Sequence, residues 1–274
     1  MPEIISRPCL LTPKPLRPDF PLFVFLPGMD GTGKLLRSQL GYLEVAFDIR
    51  SLAISPGDLT SWQVLAGEVV GLIEAELEGK KQRPVYLCGE SFGGCLALQV
   101  IQRAPHLIDR LILINPASSF NRQPLLHFGS HLVALLPQPI YPYSAAGLVP
   151  FLAAWERMKT SDLEELMKAM ENVPQKTTLW RLSLLREFHI STDQLRNIWQ
   201  PTLLIAGAAD RLLPSVSEAK QLVSRLPNAK MVTLPNSGHA CLLEADVDLF
   251  KILKNQDFIE IPTRQRAGKS AILK

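Results

Sequence analysis

A serine hydroxyl attacks a carbonyl only when a base takes its proton and a third group holds that base. Three stretches of the sequence could supply such a set. Gly89-Glu90-Ser91-Phe92-Gly93 follows the apolar run PVYLCGE (84–90) and opens an apolar helical pattern from Phe92 to Arg103. The G-x-S-x-G spacing says little alone. Between a strand and a helix it predicts a sharp turn that exposes the Ser91 hydroxyl. Side chains at 89 and 93 would clash across such a turn, and glycine avoids this. The plain alternative is that Ser91 only caps the helix. His239, in the turn Asn236-Ser237-Gly238-His239 just after a strand pattern, is the candidate base. His127, His131 and His189 fall in a long insert, and His106 follows the far end of the helix after Ser91. Asp210 ends the strand pattern PTLLIAGA (201–208) and is the candidate orienting acid. The chain order Ser, Asp, His is that of hydrolases with this kind of turn. Asp246 and Asp248 read instead as first-turn acids of a later helix.

Attack on a carbonyl develops an oxyanion, which backbone N–H groups can stabilise. The N–H of Phe92, just after the nucleophile, is one expected donor. The other is the N–H of Met29, in the loop Pro27-Gly28-Met29-Asp30-Gly31-Thr32-Gly33 after the apolar run PLFVFLP (21–27). The same loop imitates a phosphate-binding motif through Lys34. Leu35 stands where that motif needs a hydroxyl for magnesium, and Asn115 ends the strand pattern RLILINP where an acid is expected. Nucleotide binding is therefore not expected.

The elements that must position these residues alternate. Apolar strand patterns at 21–27, 47–54, 84–90, 110–116, 201–208 and 229–235 alternate with helical patterns at 60–78, 92–103, 214–226 and 244–254. Strand–helix alternation with strands apolar on both faces predicts an α/β fold with a mostly parallel sheet covered on both sides. Between Pro116 and Pro201 no strong strand appears, so this segment is expected to be an inserted helical cap. Ser161 and Glu164 have the spacing of a capping box for a helix near 162–172. From Gln123 to Trp155 there is no Asp, Glu, Lys or Arg. Pro137, Pro139, Pro142 and Pro150 interrupt that stretch, so it does not read as a membrane span. It is expected to line an apolar pocket above Ser91, with Leu148 and Phe151 as substrate-binding residues. A pair of short buried helices is the alternative. The expected organisation is a core of 1–116 and 200–258, a cap of 117–199 and a basic tail of 259–274.

The chain has 274 residues, 47% of them hydrophobic and 20% charged, enough for a large core and too apolar for a disordered chain. The net charge of +3 resides in the tail, which has four basic side chains against one acidic; residues 1–258 carry 25 of each. A neutral body argues against nucleic acid as a partner. Cys9, Cys88, Cys95 and Cys241 form no C-x-x-C pair, so no metal is expected, and apolar settings for Cys88 and Cys95 suit a reducing compartment. The N-terminus carries Pro2, Pro8, Pro13, Pro15 and Pro18 in place of a signal sequence, so the expected location is cytoplasmic, with peripheral membrane contact through the charge-free stretch.

With these residues placed, the sequence resembles the α/β-hydrolase superfamily. More closely, it is similar to the plant and cyanobacterial esterase/lipase/thioesterase family that includes phytyl ester synthases and diacylglycerol acyltransferase-like plastid proteins. The similarity rests on FLPGMDGTG (25–33), RPVYLCGESFGGCLAL (83–98), LILINPAS (111–118), PTLLIAGAADRLLPS (201–215) and SGHACLLE (237–244). It implies acyl chemistry on lipid-like substrates, with Ser91, Asp210 and His239 in triad roles and no cofactor. Plastid members carry a second, acyltransferase-like part with an H-x4-D motif. None of the five histidines here has Asp five residues on, so the chain matches the hydrolase half. The leading expectation is hydrolysis of esters or thioesters of hydrophobic acyl groups through an acyl-enzyme. Acyl transfer to a lipid alcohol such as phytol or diacylglycerol is the alternative, and a non-catalytic lipid-binding protein on the same fold the third.

Overall fold

A computed structural model describes residues 7–79, 82–137 and 141–259. Pro2, Pro139 and the tail residues 260–274 lie outside the described residues. Among the described residues seven strands form one sheet: β1 (Cys9–Leu11), β2 (Leu22–Leu26), β3 (Asp48–Ala53), β4 (Val85–Glu90), β5 (Arg110–Ile114), β6 (Thr202–Gly207) and β7 (Ala229–Leu234), in the order β1-β3-β2-β4-β5-β6-β7. Among these strands β1 runs antiparallel, on β3, and the other pairings are parallel. The helices are α1 (Leu40–Leu43), α2 (Trp62–Leu77), α3 (Phe92–Arg103), α4 (Pro124–Leu132), α5 (Tyr141–Leu152), α6 (Thr160–Glu171), α7 (Gln175–Glu187), α8 (Thr192–Arg196), α9 (Ser215–Val223) and α10 (Leu249–Asn255).

Alternate strand residues feed two cores, as the period of two requires. Leu22, Val24 and Leu26 of β2 and Leu111 and Leu113 of β5 pack with α2, α3 and α9. Phe23, Phe25, Ile112 and Ile114 face the other side, against Leu43, Leu249 and Leu253. Burial on both faces explains why these strands read as continuous apolar runs. The register aligns Leu26 with Gly89, Glu90 with Ile114 and Gly207 with Leu234. The loops after β2, β4, β5, β6 and β7 therefore emerge along one edge, where parallel sheets bind ligands.

Between β5 and β6 the described residues form a 3-10 helix at Ala117–Arg122 and then α4 to α8. Local details depart from the sequence expectations. α6 begins at Thr160 without a side-chain cap, and the capping box forms at α8, where Ser191 and Gln194 bond reciprocally. The last helix starts at Leu249 with Asp248 as its N-cap, not at Glu244; Asp246 pairs with Arg157. The three-residue edge strand β1, between prolines, shows no periodicity that marks it. Among the described residues no helix is long and apolar enough to cross a membrane.

The tightest contact in this frame lies where α3 meets β2. A Cβ on Gly93 would stand 2.0 Å from the Leu26 carbonyl oxygen and 2.6 Å from that of Pro27. Both neighbours are backbone, so no side chain can move aside. Gly93→Ala is expected to destabilise the fold by about 3 kcal/mol or more. The urea midpoint should fall at constant m; an unchanged midpoint would show that α3 does not approach β2 this closely.

Candidate active site

Ser91 occupies the one-residue corner between β4 and α3, with φ 54° and ψ −115°. This conformation is strained for a residue with a side chain. Gly89 and Gly93 make the corner possible, because a Cβ on Gly89 would meet the Gly93 carbonyl at 2.2 Å. The corner is held by Ser91 N–H donating to Ile114 O (3.0 Å) and by Gly94 and Ala117 N–H donating to Ser91 O (2.9 and 3.0 Å). Ser91 stands at the N-cap position, yet its hydroxyl caps nothing. Its Oγ lies 2.8 Å from Nε2 of His239. Nδ1 of the same ring lies 2.8 Å from Oδ2 of Asp210.

The sheet edge brings these three side chains together from the loops after β4, β6 and β7. Asp210 is fixed by four donors: Leu212 and Leu213 N–H on Oδ1 (2.9 and 3.0 Å), and the Ser215 hydroxyl and His239 on Oδ2. Gly207 lets the β6 and β7 loops interlock, since a Cβ there would stand 2.4 Å from Ser237 O. Two further residues position His239 and were not read as doing so in the sequence. Asn115, fully buried with φ 41°, donates to the carbonyls of Gly238 (3.1 Å) and His239 (2.7 Å) and accepts from Gly207 N–H (2.8 Å). Glu244 accepts from Gly238 N–H at 2.7 Å and pairs with Arg157. His106, His131 and His189 are exposed and take no part.

Met29, in the loop after β2, and Phe92, the first residue of α3, flank the serine, and neither N–H donates to a described residue. The Phe92 ring is buried and stacked on Trp62, centroids 4.6 Å apart. The loop that imitates a phosphate motif spends its N–H groups on itself: Gly31 on Gly28 O, Thr32 on Asp30, Lys34 on the Thr32 hydroxyl. Among the described residues no group of His, Cys, Asp and Glu could hold a metal ion.

A cavity of about 370 Å³ opens over Ser91 and His239. Its walls are mostly apolar, with Phe120, Leu126, Val133, Leu152 and Leu182 among them. Leu148 is among the residues that line it. Phe151 is not: it lies off the stripe shared by 148 and 152 and stays 49% exposed. Glu90 also lines the cavity, and burial pushes its carboxyl up to about 8, with His239 opposing and Asp30 adding to the rise.

Residues 38–246 match the family described as serine aminopeptidase, S33. The chain belongs to this α/β-hydrolase family. It is 32% identical over 259 residues to phytyl ester synthase 1, chloroplastic, and 30% identical over 276 residues to phytyl ester synthase 2, chloroplastic, both of Arabidopsis thaliana. These matches cover 86% and 91% of this chain but 37% and 38% of the two relatives, so the chain spans under two-fifths of their length. A thermophilic esterase from Thermogutta terrifontis shares the fold, with TM-score 0.71 and 19% identity over 86% of this chain and 89% of that one. Family and fold thus agree on an α/β hydrolase.

Burial pulls the His239 imidazole down, but the Asp210 charge and hydrogen bond, with the Glu90 charge, outweigh it and hold the ring above its ordinary value. Burial pushes Asp210 up, and His239 together with the Ser215 and Leu213 donors outweighs it in the other direction. In Asp210→Asn the desolvation remains and the largest compensating charge is gone. The His239 pKa, followed by the ring carbon shifts in NMR, should fall. An unmoved titration would show that Asp210 does not govern the imidazole.

Proposed function

We propose that this protein is a serine hydrolase that cleaves carboxylic esters or thioesters of hydrophobic acyl groups. The observation that carries the reading is the relay Asp210–His239–Ser91, with both links at 2.8 Å, on the floor of an apolar cavity. Ser91 Oγ attacks the carbonyl carbon while its proton passes to Nε2 of His239. The carbonyl oxygen becomes an oxyanion that accepts from the N–H groups of Phe92 and Met29. The oxyanion collapses, the bond to the alcohol or thiol breaks, and His239 returns the proton to the leaving group. Water, deprotonated by His239, then repeats the attack on the acyl-enzyme and releases the acid and free Ser91. Asp210 keeps Nδ1 protonated and stabilises the imidazolium without taking the proton itself. No metal or cofactor enters these steps. The helices between β5 and β6 cap the cavity, and the exposed Phe151 and Leu148 on α5 are the surface proposed to touch membranes.

A fluorophosphonate probe should label the wild type and leave Ser91→Ala unlabelled; absence of label on the wild type would overturn the reading. Because the base must be neutral, kcat/KM should rise with pH through a midpoint above 6.5. Each methylene buried in the cavity contributes about 0.8 kcal/mol, so kcat/KM of p-nitrophenyl esters should climb about fourfold per added carbon until the cavity is full. Leu148→Asp should flatten that climb while sparing acetate. A flat profile in the wild type would remove the hydrophobic acyl specificity.

The similarity to phytyl ester synthases favours a second reading, in which a long-chain alcohol replaces water in the deacylation step. The mostly apolar walls of the cavity suit a long-chain alcohol beside the acyl-enzyme. Acyl donor incubated with phytol or diacylglycerol should then give ester on lipid chromatography. Free acid alone at every alcohol concentration would leave hydrolysis as the activity.

A further inference from the structure

The Gly28–Gly33 loop carries Met29, the proposed oxyanion donor, outside any regular element. Its peptide planes must therefore be fixed individually. The plane joining Gly28 and Met29 is held through the Gly28 carbonyl, which accepts from Gly31 N–H at 3.0 Å. Beyond Met29, the Asp30 carboxylate accepts from Thr32 N–H (2.8 Å) and its hydroxyl, and Ile54 N–H donates to Gly31 O (2.7 Å). The plane between Met29 and Asp30 is held from outside the loop. Arg181, on α7, donates from Nη1 to Met29 O at 2.5 Å and from Nη2 to Ser55 O at 3.2 Å. Its side chain is 2% exposed, and Asp30 and Asp58 lie near enough to attract its charge.

Gly31 makes room for this guanidinium. A Cβ there would stand 2.8 Å from Nη1 and 2.9 Å from Nη2, and the residue sits at φ +68°. The glycine thus serves both the turn and the arginine. With the planes on both sides of Met29 pinned, its φ and ψ have one solution and its N–H one direction. An oxyanion donor works only within a few tenths of an ångström of its place.

We infer that Arg181 is a positioning residue, through which the helices between β5 and β6 hold the Met29 N–H in register with Ser91. The inference rests on the proposed acyl-enzyme mechanism. A planar fork suits the task because it bridges two carbonyls at once, whereas an ammonium reaches them only as a point.

Arg181→Ala and Arg181→Lys are compared with Trp180→Phe, which removes a neighbouring bond from α7 to Thr60 O that does not touch the loop. In Arg181→Ala, kcat should fall about 10- to 100-fold with KM within about threefold, as for a misaimed oxyanion donor. The inhibition constant of a trifluoromethyl ketone, whose adduct carries the oxyanion, should rise by the factor that kcat/KM falls. Added guanidinium should restore part of kcat in Arg181→Ala alone. Arg181→Lys should lie between, and Trp180→Phe should match the wild type within about twofold. A raised KM with unchanged kcat, a kcat loss without loss of ketone affinity, or unfolding of both Arg181 variants beside a folded Trp180→Phe would each overturn the inference. Fluorophosphonate labelling separates the two layers. An unlabelled wild type defeats the mechanism and the inference together, whereas a labelled wild type with an unaffected Arg181→Ala defeats the inference alone.

Discussion

Ser91 reaches His239 only because the chain turns from β4 into α3 within one residue. That turn requires φ 54° at a residue with a side chain, and it brings Gly89, Gly93 and Leu26 into backbone contact. A strained conformation of this kind costs of order 1–3 kcal/mol and persists only where the surroundings impose it. Here the imposition comes from the sheet itself: Ser91 N–H is tied to Ile114 O, and Ser91 O accepts from Ala117 beyond β5. The pairing of β4 with β2 and β5 therefore sets where the hydroxyl points. Everything else at the site is placed by reference to that oxygen.

The corner was legible because its physical requirement falls on residue type. Only glycine fits at 89 and 93, and a strand and a helix must flank them, so local sequence carries the whole condition. Asp210 and His239 were legible for a weaker reason, their place at the ends of apolar strands. The residues that hold them were not. Asn115 read as the absence of a magnesium ligand, because sequence shows which residue ends β5 but not that the β7 loop folds back over it. Its positive φ and three buried bonds are tertiary facts. Glu244 read as the start of the helical pattern 244–254; burial beneath Gly238 makes it a backbone anchor instead. The capping box at Ser161 failed for a related reason. The spacing was present, but α6 enters through Lys159 in extended conformation and no serine side chain bond forms there.

The insert shows the same limit on a larger scale. Its length and lack of strands mark it as helical, and its missing charges mark one stretch as apolar. Which stripe of α5 faces the cavity depends on the docking of the helix, so Leu148 and Phe151 looked alike in sequence and differ in the fold. Arg181 is the sharper case. Nothing in the local sequence of α7 sets it apart, whereas the fold buries it against two carbonyls and a glycine. A buried arginine is stable only where its donors find acceptors. The carbonyls of Met29 and Ser55 provide them, so the insert and the loop after β2 are bound into one unit.

Two carboxyls face the imidazole, and their surroundings push them apart. Asp210 receives four hydrogen bonds and is held below its ordinary value in spite of its burial. Glu90, one residue before the nucleophile, finds no partner for Oε1 among the described residues, and burial raises it to about 8. Near neutral pH the first is an anion and the second an acid. Had both been charged, their combined field would hold His239 as an imidazolium, unable to accept the Ser91 proton. Had neither been charged, the imidazolium formed during attack would be a buried charge without a counter-ion. A base must sit near the working pH to take a proton and then return it. Supplying donors to one carboxyl and withholding them from the other leaves Asp210 as the standing charge at the back of His239, and among the influences that raise the imidazole the charge of Asp210 is the largest.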